Sequence, residues 1–479
     1  MLRDVTHKVT DGLLGFATAT GDGLHLKIGV SPVVSDKPII VTGDMTAAKI
    51  KERLGLSPLA DAVMDSVQWG AARIYCLPVS ATEAGTLGEV KHTGEGKGTL
   101  TLDGSPTNAF GIIVEITGQG TLNTAAFKVS IDGGYSYSDE TTVPLTGEYT
   151  LEGTGLKLTF AAASEPDDAA TSFKVGDVFT ASTTAPTMTN GDVIAAIEKL
   201  HNFAEEYEFI HIVGESSLAL WQAVSEAQLE MQDTYKKPLA FVMEATPPEE
   251  EDDLQDYALQ LEADRKKIKN YNLQVVAAWG VLVRLDGTTQ EVNLAGLACG
   301  LYAKAPVQVC IGKTRTEAGF NIPKTKLTEL RPQGIEEIAE MLDVAGFLTF
   351  REYDGLDDFY VYHTKMMSPD GSDFRYMEDV RVLNKIIRET RKEALLILQD
   401  DIDLEDVQGE LETRAKFMFT PLQRMIDSKE ISSAEITVPE GQEETILEDE
   451  TMRVKIRYLS RGYIREIEVD LGRSAPSSD

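Results

Sequence analysis

Cysteine is scarce in this chain: three in 479 residues, at Cys76, Cys299 and Cys310. The three sit in apolar stretches (RIYCLPV, LACGLY, VQVCIG). So few, and odd in number, they exclude a disulfide framework and read as buried free thiols in a reducing interior. Long apolar runs are missing too. MLRDVTHKVTDGLLGF at the N-terminus has no run of signal-peptide length. The most apolar stretch, VVAAWGVLV from Val275 to Val283, is too short to cross a bilayer as a helix. These absences set the expectation of a soluble intracellular protein. Positive charge is in deficit, with 45 Lys and Arg against 78 Asp and Glu, a formal net charge of −33. A surface that tracks phosphates needs a positive face, so nucleic acid is not an expected partner.

Assembled chemistry is equally hard to find. Six histidines, His7, His25, His92, His201, His211 and His363, are scattered, with no HExxH or Cys/His metal spacing. GESSL at Gly214 starts like a nucleophile elbow but lacks the closing Gly; a helix N-cap explains Ser216 or Ser217 better. HTGEGKGTL, His92 to Leu100, is rich in Gly but has Gly98 where a phosphate loop needs Ser or Thr. The acid run EEEDD, Glu249 to Asp253, has no EF-hand spacing and sits where a helix start favours acids. RKKIKN, Arg265 to Asn270, is one basic turn at a helix end. The pattern points to a structural or binding protein rather than an enzyme.

What the chain does have is enough apolar content, 42%, for real cores, and enough length for two or three domains. The expected fold class is α/β plus α+β. PIIVTG and ARIYCLPVS read as buried strands with helical spacing between them, from Ala47 to Leu54 and again through LADAVMDSVQWGA. From about Thr82 to Met188 the texture changes to Gly, Thr, Ser and Asp with short alternating runs (GIIVEIT, FKVSIDGG, LKLTF, DVFTAST), as in a β-sandwich. At Thr189 the α/β rhythm resumes: a helix capped by Thr189 or Asn190, then FIHIVGE, a helix from SSLALWQ, PLAFVMEA, and a helix with acids first and bases last. LQVVAAWGVLV reads as a strand or strand pair, and VNLAGLACGLYAKA as a buried helix. A third part holds a short helix ending at Gly346, a hairpin turning at Asp354-Gly355, and the longest helical pattern. The apolar stripe of that helix runs through Val380, Leu383, Ile386 and Ile387 to Leu395 and Leu398. A further helix is expected near Lys416 to Ser428, then ISSAEITVPEG, then two closing strands in RVKIRYLSRGYIREIEVDLG. The expected division is an N-terminal arm, 1–20; a discontinuous α/β domain, 21–86 and 189–322; an inserted β-sandwich-like domain, 87–188; an α+β domain, 323–459; and a C-terminal arm, 460–479.

The order of these parts resembles the contractile tail sheath proteins of phages and related injection systems. The resemblance rests on MLRDVTHKVTDGLLG…GLHLKIGVSP, on LVRLDGTTQEVNLAGLACGLYAKAPVQVCIG, on the hairpin and Arg-bearing helix FLTFREYDGLDDFYVYHTKMM…FRYMEDVRVLNKIIRETR, and on the closing strands. It implies a subunit with no catalytic residue, cofactor or metal. Such subunits stack as hexameric rings around a tail tube and contract to drive the tube through an envelope. The implied partners are further copies of the chain, the tube protein, and baseplate and terminator proteins, in a virion tail assembled in the bacterial host cytoplasm. The β insertion departs from the simplest sheaths. It implies by its resemblance a position on the outside of the tube.

Sheath subunits stay linked because terminal arms add strands to a neighbour's sheet. The residues here that match are Asp4, Val5 and Val9 at one end and Ile464, Ile467, Val469 and Leu471 at the other. Val454, Ile456 and Tyr458 share one face of the first closing strand; Ile467, Val469 and Leu471 share one face of the second, with Glu466, Glu468 and Asp470 opposite. Two outcomes stay open: a hairpin folded back on its own domain, or a strand crossing to a neighbour. Arg388, Arg391 and Lys392 on the long helix are candidate tube contacts, against a solvated helix face. The alternative function is carbohydrate recognition by the segment Glu89 to Thr184, and a third reading is an α/β enzyme with a scattered site.

Overall fold

A computed structural model describes residues 21–164, 171–249 and 252–473, with the side chains of 443–445 left aside. The chain divides into two compact units, Met1–Arg388 and Glu389–Asp479.

The first unit starts with β1 (His25–Val30), β2 (Ile39–Thr42), α1 (Ala47–Leu54), α2 (Pro58–Gln68) and β3 (Arg73–Val79). An all-β stretch follows: β4 (Lys91–Thr93), β5 (Thr99–Gly104), β6 (Gly111–Gly118), β7 (Ala126–Ser130), β8 (Thr141–Thr142), β9 (Glu148–Leu151), β10 (Leu156–Ala161) and β11 (Val178–Ser182). The alternation of helix and strand then returns with α3 (Asn190–Glu198), β12 (Phe209–Ser216), α4 (Leu218–Asp233), β13 (Ala240–Ala245), α5 (Leu254–Arg265) and β14 (Leu273–Val276). These pieces meet in one six-stranded sheet, ordered β14-β13-β12-β1-β3-β2. Its strands are parallel except β2, which runs against β3 at the edge. Helices cover both faces, so β1 and the centre of β12 are buried along their length and read as runs rather than as alternation. Leu26, Ile28, Ile210 and Ile212 pack with α3, α4 and α5 on one face. Phe209, Ala240, Val242 and Val276 pack on the other against residues of β15 (Trp279–Val283) and α6 (Ala295–Lys304).

The caps follow local chemistry. Thr189 makes a full capping box with Asp192 at the start of α3, because its hydroxyl accepts from the Asp192 amide and the carboxylate accepts from the Thr189 amide. At α4 the N-cap is Ser217, whose side chain makes no cap bond; Ser216 instead donates to the Glu244 carbonyl.

The β stretch forms two antiparallel sheets, β5-β10-β9 and β4-β11-β6-β7-β8, around a core of its own that includes Ile112, Val114, Phe127, Phe160, Phe173 and Phe179. It leaves and rejoins the α/β sheet through paired segments, Glu83 beside Thr187 and Leu87 beside Thr183. A polar bond also ties it down: Asn108 donates to Asp61 of α2 over 2.6 Å, and Arg284 donates to the same carboxylate over 2.8 Å.

After β15 come β16 (Thr289–Asn293), α6, β17 (Leu327–Arg331), α7 (Ala339–Ala345), β18 (Phe350–Arg351), β19 (Tyr360–Val361) and α8 (Met377–Leu396). β15 is central in a three-stranded antiparallel sheet between β16 and β17, and β18 pairs with β19 as a short hairpin. The boundary between the two units falls inside α8.

The second unit holds the end of α8, then α9 (Val407–Asp427), β20 (Ser433–Thr437), α10 (Glu443–Asp449) and β21 (Lys455–Leu459). β20 and β21 form a two-stranded antiparallel ribbon, with Ser433 opposite Leu459 and Ile436 opposite Ile456. β20 packs on α9, which buries Leu411, Ala415, Leu422 and Met425. The expected stripe of the long helix ends early: Val380 and Ile386 are buried, but Leu395 and Leu398 are exposed. All three cysteines carry free thiols, Cys76 and Cys299 buried and Cys310 half-buried.

Candidate functional site

The chain leaves its first twenty residues through Gly21-Asp22-Gly23, which is clamped to α8. Gly21 and Gly23 hold φ of 74° and 72°. A Cβ on Gly23 would stand 2.4 Å from the Ala303 carbonyl oxygen, so this turn is reserved for glycine twice over. The Gly23 amide donates to Glu208 Oε2 over 2.8 Å. Glu208 in turn accepts both Nε and Nη2 of Arg381, the latter at 3.0 Å, and both side chains are fully buried. Asp22 accepts from Lys385 Nζ at 2.5 Å and from Arg388 Nη2 at 3.3 Å. Arg381, Lys385, Arg388 and Lys392 recur every three or four residues, so one face of α8 is a basic stripe. Nothing in the sequence marked Asp22, Glu208 or Arg381; the signals available were an acid between two glycines and that stripe.

The tube-contact candidates separate on this face. Arg388 is buried and bonded to Asp22, so it does not present a solvated face. Lys392 pairs with Glu389 at 2.7 Å. Arg391 is exposed.

In the second unit the candidate site is the two-stranded ribbon. Gln442 is buried and sets the start of β21: its amide donates to the Pro439 and Arg453 carbonyls, each at 2.9 Å, and accepts from the Arg453 amide at 2.7 Å. Along β21, Lys455, Arg457 and Leu459 are exposed while Ile456 and Tyr458 are half-buried. Each strand has one neighbour only, so the outer edge of β20 and the outer edge of β21 are both open among the described residues. An open edge offers unpaired amide and carbonyl groups to another strand.

Residues 460–473 follow β21 and form no ladder with any described residue. Ile464, Ile467, Val469 and Leu471 are 85, 77, 69 and 93% exposed. Four large aliphatic side chains along eight residues are therefore left in water. Asp4, Val5 and Val9 lie outside the described residues.

The buried polar groups of the first unit include a hydrogen-bonded run from Lys27 through His211 to Glu244. Lys27 Nζ lies 2.6 Å from His211 Nδ1, and His211 Nε2 lies 2.9 Å from Glu244 Oε1. An ammonium can only donate, so Nδ1 accepts and Nε2 carries the proton toward Glu244. Burial, reinforced by Lys27, drives the His211 pKa well below its ordinary value. Burial pushes Glu244 up to about 7, with Lys27 pulling the other way. Lys27 and His211 are inaccessible to solvent, while the Glu244 side chain keeps a small exposed fraction. No group of three or more His, Cys, Asp or Glu among the described residues is placed to hold a metal, and no described helix is long and apolar enough to cross a membrane.

In fold the chain is similar to solved subunits of contractile sheaths. The chain is similar over 99% of its length, and 99% of the other's, to the contracted sheath of an extracellular contractile injection system, PVC, at 10% identity and a TM-score of 0.53. It is similar to the contracted helical sheath of the anti-feeding prophage over 98% of each chain, at 10% identity and a TM-score of 0.52. A sheath tail protein of Desulfitobacterium hafniense aligns over 92% of this chain and 93% of its own, at 14% identity and a TM-score of 0.49. No curated protein matches the sequence. The sequence matches the DUF2586 N-terminal domain over residues 2–363 and the DUF2586 C-terminal domain over residues 373–478. The chain belongs to the DUF2586 family.

Proposed function

We propose that this protein is the subunit of a contractile sheath: copies stack as hexameric rings around a tail tube and contract to drive the tube through a cell envelope. One observation carries the reading. Residues 463–471 have the alternation of a strand, expose Ile464, Ile467, Val469 and Leu471, and form no ladder among the described residues, while the ribbon β20–β21 has open edges among those residues. Burying such a side chain fully is worth about 1.5–3 kcal/mol, and each ladder bond adds about 0.5–1.5 kcal/mol net. The strand therefore gains most by joining a neighbour's sheet, a linkage that lets rigid bodies move while the copies stay joined. The similarity in fold to contracted sheaths supports it.

In this reading Ile464, Ile467, Val469 and Leu471 belong to one donated strand, and Asp4, Val5 and Val9 to a second donated from the other end. The further partners are the tube, baseplate and tail-terminator proteins, in a tail or related device built in the bacterial cytoplasm. The work is mechanical, with no chemical step. Arg391, exposed on α8, is the tube-contact position favoured here. Negative-stain microscopy of the purified protein tests the function: tubes, rings or short striated rods are expected, and uniform monomers at every concentration contradict it.

A further inference from the structure

The inserted β stretch is joined to the rest of its unit at two separate places. The first is the stalk by which the chain leaves β3 and returns to α3. There the Thr86 amide donates to Thr184 Oγ1 over 2.8 Å, and Leu87 lies beside Thr183. A two-stranded connection is marginal alone, and by itself it would hold the domain by one end only. The second place lies over α2. Asn108 of the insertion donates through Nδ2 to Asp61 Oδ2 over 2.6 Å. Arg284, just past β15, donates through Nη1 to the same oxygen over 2.8 Å and to Gln290 Oε1 over 2.6 Å, and through Nε to Asp65 over 3.2 Å. Gln290 Nε2 donates onward to the Ala109 carbonyl over 3.4 Å. Asn108, Asp61, Asp65 and Arg284 are all buried. Beside this node Leu56 packs on the core of the insertion, and a Cβ on Gly153 would stand 3.0 Å from Leu56 Cδ1.

We propose that Arg284 is a positioning residue: through Asp61 it fixes the inserted domain to the α/β sheet at a second point, so that domain and sheet move as one body. Small polar contacts between domains ordinarily leave them free to move. This one differs because its charges are buried. Asp61 and Asp65 stand one turn apart on α2, and two buried carboxylates so placed need a cation between them. Arg284 serves both, because its planar fork reaches several acceptors at once. That leaves Asp61 Oδ2 oriented and charged, the stronger kind of acceptor for the Asn108 amide. The position of Arg284 is set from the sheet side. Gln68 of α2 donates to the Val283 carbonyl over 2.8 Å, and Lys51 of α1 pairs with Asp286 at 2.5 Å.

The two places are also tied to each other. Thr183 of the stalk donates to the Asn108 carbonyl over 3.1 Å, and its hydroxyl accepts from the Phe110 amide over 3.0 Å. An unbroken polar path therefore runs from the stalk through Asn108 and Asp61 to Arg284. One attachment leaves a domain free to swing; two, braced against each other, do not. The domain is carried by the sheet rather than trailing on a tether. This inference concerns a single subunit and stands whether or not copies build a sheath.

Hydrogen exchange of the full-length chain, read by mass spectrometry, tests it. The reporting peptides cover 56–62 and 104–110, on the two sides of the node; peptides of β12 and β13 report on the body itself. Asn108→Asp sets two carboxylates where the structure has a 2.6 Å hydrogen bond. It is expected to speed exchange at both reporting peptides by roughly tenfold or more and to leave β12 and β13 unchanged. Adding Asp61→Asn is expected to restore slow exchange, because the swapped pair again has one amide and one carboxylate. Arg284→Met is expected to act like Asn108→Asp. Arg284→Lys, which keeps the charge without the fork, is expected to fall between Arg284→Met and the wild type, and it decides the role of the arginine if Arg284→Met does not fold. No acceleration in Asn108→Asp, no recovery in the swapped pair, wild-type exchange in Arg284→Lys, or an equal acceleration in β12 and β13 would each overturn the assignment. Wild-type chain that never polymerises bears on the sheath reading alone.

Discussion

Lys27, His211 and His25 show what full burial does to a side chain. His25 is buried in β1 and stacked on Phe209 with ring centres 4.8 Å apart. Burial, then the nearby Lys27 and His211, hold its pKa well below 6.5, so it is neutral in the folded chain. A depressed histidine contributes stability that is present above its unfolded pKa and lost as pH falls through that value toward the folded one. His25→Phe removes that loss. Between pH 7.5 and 5.5 the variant is expected to gain on the wild type by up to about 1.4 kcal/mol per pH unit, read from thermal unfolding at each pH. Equal shifts of the two proteins across that range would contradict it. The sequence had no way to announce these residues. His25 and Lys27 alternate with Leu26 and Ile28 as a half-exposed strand would, and only the helices on both faces bury all four. The clamp at Asp22 was hidden for a similar reason: Glu208 and Arg381 are 173 positions apart, and ion pairs between distant residues leave no local pattern.

At the scale of elements, local chemistry was legible wherever it was decisive. FIHIVGE and PLAFVMEA are strands β12 and β13, and Thr189 caps α3. LQVVAAWGVLV is two strands in two different sheets, because Ala277 and Ala278 carry the chain from β14 to β15. α9 begins at Val407, well before the stretch near Lys416, since its first turns (VQGELETR) are polar and give no apolar period. ISSAEITVPEG supplies β20, whose pairing with β21 spans a helix between them and so could not be read from spacing. Leu395 and Leu398 continue an apolar stripe in sequence but not in packing. Periodicity records which side chains share a face; it does not record whether anything covers that face. The same limit applies to residues 463–471, whose alternation is plain in the sequence and whose partner is not.

For the whole molecule, the proposed sheath makes net charge matter. Each copy carries −33, and in a close-packed polymer exposed acids within about a Debye length, ~8–10 Å at physiological salt, repel one another. In the proposed sheath, that repulsion would contribute tension to the extended form. Raising salt from about 0.05 to 0.5 M should therefore shift the ratio of extended to contracted particles toward the extended form, counted by microscopy after a fixed trigger. A ratio that ignores salt would contradict this. The strand is the more direct question. Deleting Tyr463–Asp479 removes Ile464, Ile467, Val469 and Leu471, all exposed, and leaves the hydrophobic cores and the ribbon β20–β21 in place. Sedimentation velocity of the truncated chain beside the full-length chain measures the result. A folded monomer that no longer polymerises, where the full-length chain does, is the outcome expected if copies are linked through this strand. Truncated chains that still build sheaths would place the linkage elsewhere.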